Sequence, residues 1–358
     1  MGWDVHLVTS SGPELDEHKI QNYARCHEIR MKRGPALSDG PSLIKWISLL
    51  AKIRPDVISA GTPKAGLLGM LAGTIARIPN RIYVLRGLRL ENTQGFQLFI
   101  LEMIEKLTAR CATQVLSVSP SLRDLYVSKG LTRPEKIVVL GHGSSKGVDT
   151  SRFRPALVKE RQTLEQMRAQ IGLRPDVPVL GLFGRHTKDK GFPIFFDALR
   201  QQELAELPLQ ILAVGDDESA GSFLSGTDSL AHNFVSLPRA KDLEVYYRMI
   251  DVLCLPTLRE GMPNVALEAQ SSGIPVITTT ATGAIDSVEH RRTGILVSKG
   301  SVGELAWAIA LLVRDKSLRD SLAGNARPWV LDRFTEERVN ADHLVFYSAL
   351  PISPRQSR

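Results

Sequence analysis

Short apolar runs alternate with longer amphipathic ones along most of this chain. The runs Val5–Thr9, Asp56–Ala60, Arg81–Leu85, Gln114–Val118 and Ile137–Leu140 are rich in Val, Ile and Leu. Such runs, bounded by turn residues, predict strands buried on both faces, as in a parallel sheet. Between them Leu43, Trp46, Ile47 and Leu50 repeat at i, i+3, i+4 and i+7, one face of a helix that Pro55 ends. Leu98, Leu101, Ile104 and Glu105 mark another helix over residues 97–112.

A second series follows a polar, Arg-rich stretch at 151–176. Its predicted strands are Val179–Phe183, Gln210–Val214, Asn233–Leu237, Val252–Pro256, Pro275–Thr279 and Ile295–Val297. Three more helices are expected from Val302 to Leu350, and the Ser, Pro and Arg of the tail from Pro351 predict disorder there. Two βα series joined by a linker predict an α/β protein with two doubly wound parallel sheets. A ligand is expected in the cleft between them, at the carboxyl ends of the strands. The 358 residues suffice for two domains, each with its own core.

Charge changes the picture on one side only. The net charge is +7, and residues 1–150 carry 20 Lys and Arg against 13 Asp and Glu, so the whole excess lies in the first half. Lys32, Arg33, Lys64, Arg86 and Arg89 are among its contributors. A solvated basic face and a surface for anionic lipid or a phosphorylated acceptor both fit. Nucleic acid is not expected as a partner, because no recognition motif accompanies the charge. Cys26, Cys111 and Cys254 have neither metal nor redox spacing, which predicts a reducing, cytoplasmic compartment. Asp4 and His6 interrupt the first apolar stretch, which argues against a secretory leader there. The apolar segment Ala65 to Ala76 is short of the roughly 20 residues a spanning helix needs, so a soluble protein is expected.

Two strand-to-helix turns carry candidate chemistry. In Leu255–Ala269 a buried strand ends in a polar turn, and a helix is expected to begin near Pro263. Gly261 admits a close backbone approach, and free N–H groups at the helix start suit a diphosphate. Glu260 in the turn and Glu268 in the helix are acceptor-only carboxylates suited to sugar and ribose hydroxyls. The second turn is Phe183-Gly184-Arg185-His186-Thr187-Lys188-Asp189-Lys190-Gly191-Phe192, where Arg185 and Lys190 could neutralise a diphosphate. Alone, each turn reads equally well as an ordinary helix start. His186 reads as a solvated loop residue, His142 as a structural histidine and Cys254 as core packing.

Together these turns resemble the retaining glycosyltransferases of family 4, which have the GT-B fold. The Gly-Arg-x4-Lys-Gly and Glu-x7-Glu elements match in order and distance, as do Asp251-Val252-Leu253, Gly273–Ile277 and Thr282-Gly283-Ala284. The N-terminal half is similar to the branch acting on undecaprenyl-diphosphate-linked sugars with UDP-N-acetylhexosamines. Arg54–Ile58, Thr62–Gly69 and Gly143–Asp149 carry that likeness.

The resemblance implies an N-terminal acceptor-binding Rossmann-like domain over 1–155 and a nucleotide-sugar-binding one over 156–335. A C-terminal helix over 336–358 would return toward the first. Arg185 and Lys190 would hold the donor diphosphate and meet the charge on the departing UDP, with Glu260 on the transferred sugar and Glu268 on the ribose. The backbone of Gly184 and of Gly261, Met262, Pro263, Asn264 and Val265 would cradle phosphate and sugar. No cofactor or metal is implied, and the sequence has no Asp-x-Asp. Acceptor candidates are Lys64, Arg86 and Lys146. The last two stand in Arg86-Gly87 and Lys146-Gly147, where the branch usually has His-Gly and Asn-Gly. The implied partners are a UDP-sugar, a polyprenyl-diphosphate-linked acceptor and, peripherally, the inner face of the plasma membrane.

The likeness also implies that the stretch Gly2–Thr9 is the family's second strand, so that the N-terminal domain lacks its first strand and helix. Two other readings compete. A fold-retaining binding protein without catalysis would keep the turns. A nicotinamide-dependent oxidoreductase would use Gly141-x-Gly143-x-x-x-Gly147, one residue off the usual fingerprint.

Overall fold

The computed structural model describes residues 2–12, 23–31, 38–218, 221 and 232–352, so Lys32, Arg33 and most of the tail lie outside it. The chain divides into two units. The first comprises Met1–Ser117, Tyr126–Val138 and Tyr347–Arg358, and the second Val118–Leu125 and Val139–Phe346.

In chain order the elements are β1 (His6–Thr9), β2 (Arg25–Glu28), α1 (Asp39–Ile53), β3 (Val57–Ala60), α2 (Pro63–Ile75), β4 (Asn80–Leu85), α3 (Gly95–Cys111), β5 (Gln114–Ser117), α4 (Pro120–Ser128) and β6 (Ile137–Val139). Strands β3-β4-β5-β6 form one sheet in that order, and β1 pairs with β2 in parallel as a separate ribbon. The runs of buried residues on β4 and β5 are those of a sheet covered on both faces. Trp46 and Leu50 of α1 are buried, on the predicted stripe. Helix α2 lies so close to the sheet that a Cβ on Gly66 would stand 2.6 Å from the Tyr83 ring. Strand β2 was not predicted. Arg25-Cys26-His27-Glu28 has no apolar alternation, and it is fixed instead by parallel pairing with His6–Thr9 and by the His27 ring stacked on His6.

Among the described residues nothing pairs with the second edge of β1 or with the outer edge of β3. Residues of both strands, with Trp46 and Leu50, line one groove there, and the buried indole N–H of Trp46 has no hydrogen-bond partner among the described residues.

The second unit continues with α5 (Arg161–Gln170), β7 (Val179–Phe183), α6 (Phe192–Leu199), α7 (Gln202–Ala205), β8 (Gln210–Val214), β9 (Asn233–Leu237), α8 (Leu243–Tyr247), β10 (Val252–Leu255), α9 (Asn264–Ser271), β11 (Val276–Thr279), β12 (Gly294–Val297), α10 (Val302–Arg314), α11 (Lys316–Arg333) and α12 (Glu336–Ser348). Part of the expected linker is thus a helix, α5, which buries Leu164. The six strands are parallel, in the order β12-β11-β10-β7-β8-β9. Phe192, Phe195, Leu199, Ile211, Ile277 and Ile309 are part of the core that covers one face. From β7 the chain steps outward to β8 and β9, then returns to place β10 on the other side of β7. That reversal is the topological switch point, where open α/β sheets leave a crevice beyond their strand ends.

Candidate active site at the switch point of the second sheet

Two loops leave the neighbouring strands β7 and β10 at this point, residues 184–191 and 256–263. Their approach is close enough to require glycine. Gly191 has φ +80°, and a Cβ there would lie 1.9 Å from the carbonyl oxygen of Pro256. Gly215, after β8, would likewise collide with the carbonyl of Gly184, whose own φ is +128°.

Asp189 ties the loops together. Its carbonyl accepts from the Leu258 N–H at 2.9 Å and from the Thr257 hydroxyl at 3.1 Å. Its carboxylate accepts from the Thr187 hydroxyl at 2.6 Å and pairs with the Arg259 guanidinium at 3.0 Å. Burial alone would raise the Asp189 pKa, but the Thr187 hydrogen bond and the charges of Arg259, Lys190 and Arg185 hold it below the usual range.

Lys190 and Glu260 meet within this frame. The ammonium donates to Glu260 Oε1, and the two side chains are only 22% and 12% exposed. The Glu260 backbone N–H donates to the Thr282 carbonyl at 2.9 Å, while Gly283 packs against the carbonyls of Glu260 and Gly261. Helix α9 starts at Asn264, one residue beyond Pro263, which is its N-cap with extended backbone. No side chain caps it, so its first N–H groups remain open to an anion. Gly261 and Met262 are buried, and the buried Asn264 Oδ1 has no partner among the described residues.

One helical stretch further on, Glu268 is buried. The Tyr247 hydroxyl donates to its Oε2 at 3.1 Å and to the Val265 carbonyl at the same distance. Burial raises the Glu268 pKa, with Lys146 and the Tyr247 hydrogen bond pulling the other way. Lys146 Nζ stands 4.0 Å from Glu268 Oε1.

Arg185 is turned elsewhere. Its guanidinium is half exposed and pairs with Glu218 at 2.9 and 3.0 Å. His186 overturns the expectation of a solvated loop residue. It is fully buried, with its ring 4.4 Å from that of Phe192, because its backbone continues the sheet by bridging to Asp217. Cys254 is buried as expected, and burial pushes its thiol pKa up.

The acceptor candidates divide between the units. Lys64, near the start of α2, pairs with Asp39 at 2.7 Å. Arg86 follows β4 and is exposed, with its Nε placed against Gly61. Lys146 belongs to the second unit, beside Glu268. Tyr247, Asp189 and Glu218 were missed by sequence reasoning. Asp189 stood inside the Gly-Arg-x4-Lys-Gly element and was legible as a polar residue in a turn, whereas Tyr247 and Glu218 carried no local signal.

The Gly141–Gly147 stretch opens no helix. Each of its three glycines has positive φ, and a Cβ on Gly143 or Gly147 would strike backbone of Val118 or of Thr335 and Glu336. These glycines serve chain packing rather than a dinucleotide. Among the described residues no group of His, Cys, Asp or Glu is arranged to hold a metal ion.

Comparison with known proteins bears on the whole chain. Residues 177–315 match the family described as "Glycosyl transferases group 1", and residues 1–143 match the "Glycosyl transferase 4-like domain". The capsular polysaccharide biosynthesis glycosyltransferase CapM of Staphylococcus aureus is 37% identical over 344 residues, covering 94% of this chain and 87% of CapM. The UDP-Gal:alpha-D-GlcNAc-diphosphoundecaprenol alpha-1,3-galactosyltransferase of Escherichia coli is 26% identical over 345 residues, 93% of this chain and 85% of that protein. Among solved structures, Anabaena Alr3699/HepE in complex with UDP and glucose superposes with a TM-score of 0.80 at 22% identity, covering 96% of this chain and 92% of that one. The Thermosynechococcus elongatus sucrose-phosphate synthase gives 0.77 at 23%, covering 98% and 89%. These structures establish the GT-B fold, two Rossmann-like α/β domains. With that fold, and with CapM matched over nearly its whole length, this chain belongs to the glycosyltransferases, transferases of the EC 2.4 type.

Proposed function

We propose that this chain is a retaining family 4 enzyme that moves an N-acetylhexosamine from a UDP donor to a polyprenyl-diphosphate-linked sugar in cell-surface polysaccharide synthesis. The observation that carries this reading is the Lys190–Glu260 pair beside the uncapped start of α9. A nucleotide sugar offers an anion to Lys190 and to the helix N-terminus, and hydroxyl donors to Glu260, so one ligand answers all three. Support for the acceptor comes from relatives that act on diphosphoundecaprenol-linked sugars, in Escherichia coli and Campylobacter jejuni. The UDP complexes of Alr3699/HepE support the donor.

In this reading the C1–O bond to the diphosphate breaks as the acceptor hydroxyl oxygen bonds to C1 on the same face. Its proton passes to the departing phosphate. Charge grows on that phosphate in the transition state, and Lys190, Arg185 and the α9 N–H groups, with Gly184 and residues 261–265 around them, stabilise it. Arg185 turns from Glu218 to do so. Glu268, held by Tyr247, takes the ribose hydroxyls. Residues 1–155, with Lys64 and Arg86, serve the acceptor, and residues 156–335 the donor. Lys146 contributes to the acceptor from beside Glu268. The enzyme works in the cytoplasm, peripherally on the inner face of the plasma membrane.

The test is incubation with a panel of UDP-sugars and extracted polyprenyl-diphosphate sugars, followed by mass spectrometry and by the anomeric configuration of the product. An inverted product, or transfer only from a non-uridine donor, would refute the reading.

A further inference from the structure

Helix α3 is apolar on two sides: Leu98, Leu101 and Ile104 are partly buried on one, and a second apolar face is exposed. Phe96, Phe99, Ile100, Met103 and Leu107 are all exposed, from 40% for Ile100 to 76% for Phe96. At 100° per residue these five fall within about 100° of the helix circumference, a single continuous face. The opposite face buries Glu105, Thr108 and Ala109. Burial of Glu105 is sustained by two tyrosines, Tyr126 at 3.0 Å and Tyr83 at 3.1 Å, which donate to its Oε2. A surface helix of a water-bathed protein carries polar and charged residues on its outer side instead. An exposed face of contiguous large apolar side chains marks an interaction surface.

The charges beside this face select the partner. Arg110 falls within the same sector and Lys106 at its edge, both exposed. Exposed Arg89 sits on the 3-10 turn Arg89–Asn92, which packs against α3. No acidic residue lies in the apolar sector, and the half of the chain that contains it carries the whole net charge of +7. Apolar residues flanked by long basic side chains match the interface of an anionic bilayer. The rings and Met103 enter the acyl boundary while Lys and Arg reach back to the headgroups. No helix among the described residues is long and apolar enough to cross a membrane.

We infer that α3 is the element that seats this protein on an anionic lipid bilayer, through Phe96, Phe99, Ile100, Met103 and Leu107. The inference deepens the membrane reading above and shares its premise of a lipid-borne acceptor. Its test uses no substrate, so its failure is distinguishable from a failure of transfer.

The full chain is sedimented with vesicles of equal parts phosphatidylcholine and phosphatidylglycerol, and with pure phosphatidylcholine. The unaltered protein should bind the anionic vesicles. The combined variant Phe96→Glu, Phe99→Glu, Met103→Glu should lose at least about tenfold in partitioning, with its melting temperature unchanged because the three side chains are exposed. Lys106→Gln and Arg110→Gln should each cost about fivefold, on anionic vesicles only. In Phe99→Trp the new indole should be quenched by brominated acyl chains. If the unaltered protein binds neither vesicle, both the inference and the membrane reading fall. If it binds and the triple variant binds equally, α3 is the wrong element. If the triple variant instead abolishes a self-associated species and vesicle binding stays the same, the face joins copies of this chain and the inference is overturned.

Discussion

Lys190 and Glu260 stand 70 residues apart in sequence and touch directly, the ammonium of one on the carboxylate of the other. Each is fixed by its own loop, and Asp189 fastens the loops to each other. In the proposed reaction the pair acts as one binding unit. Lys190→Ala and Glu260→Gln should each reduce transfer by about a hundredfold, the usual cost of losing a charge-stabilising contact. The double variant should fall far short of the product of the two losses. Rates of UDP release with a lipid-linked acceptor give the comparison. Fully multiplicative losses would mean that the two residues act separately.

Tyr247→Phe removes only the hydroxyl that donates to Glu268 and to the Val265 carbonyl. Leaving these buried acceptors short of a donor should lower stability by about 1–3 kcal/mol. If Glu268 serves the ribose, the KM for the donor should rise about tenfold with kcat nearly unchanged. A fall in kcat at constant KM would place Glu268 at the reacting centre instead.

Gly191→Ala has no comfortable conformation. The residue is left-handed, and the new methyl would overlap the Pro256 carbonyl, which cannot rotate away as a side chain could. The expected cost is about 2–5 kcal/mol of strain and displaced backbone. Gly181→Ala is the comparison, since its backbone is not left-handed and its methyl would meet the Ile250 side chain, Cδ1 most closely, rather than backbone. Thermal melts of the two variants should therefore differ by several degrees, with Gly191→Ala the lower. Equal melting would show that the loops part easily.

Glu105 makes stability depend on pH. Burial raises its pKa above the ordinary 4.5, and the Tyr126 and Tyr83 hydroxyls only partly offset this. The folded state therefore favours the protonated acid. Its stabilising contribution is fully present below pH 4.5 and is lost as pH rises through the folded value. Glu160, held down to about 2 chiefly by Arg154, loses stability in the opposite direction, below pH 4.5. Glu105→Gln should thus melt higher than the unaltered chain at neutral pH, with the gap closing near pH 4.5. A gap that widens on acidification would contradict the buried-acid account.

The second sheet was legible almost residue by residue. Strands β7 and β8 begin and end where their apolar runs do, because both are interior strands buried along their whole length, and the edge strand β9 keeps its predicted bounds although only partly buried. Strand β2 was not, since nothing in Arg25-Cys26-His27-Glu28 distinguishes a strand from a polar loop until His6–Thr9 pairs with it. Helix α3 was foreseen from Leu98, Leu101, Ile104 and Glu105, and Glu105 is indeed buried. That stripe is the side turned inward, but its periodicity gave no sign that a second apolar face, from Phe96 to Leu107, would be exposed. The burial of Glu105 rests on Tyr83 and Tyr126, which are distant in sequence. At the site, the turns declared their glycines and charges. They did not declare that Arg185 would face Glu218, or that a histidine between two cations would end up against Phe192.

The groove between β1 and β3 sets the order in which the first unit opens. Among the described residues no backbone hydrogen bond joins the β1–β2 ribbon to the sheet β3–β6. The ribbon can therefore come loose in a partial opening that leaves the larger sheet intact. Amides of Leu7, Val8, Cys26 and His27 should take up deuterium well before those of Ile82, Tyr83 and Val115, which lie in the interior of that sheet. Any extended segment that entered the groove would pair with both edges and merge the two sheets into one cooperative unit. The early-exchanging amides would then join the slow class, as if a hinge had been welded shut.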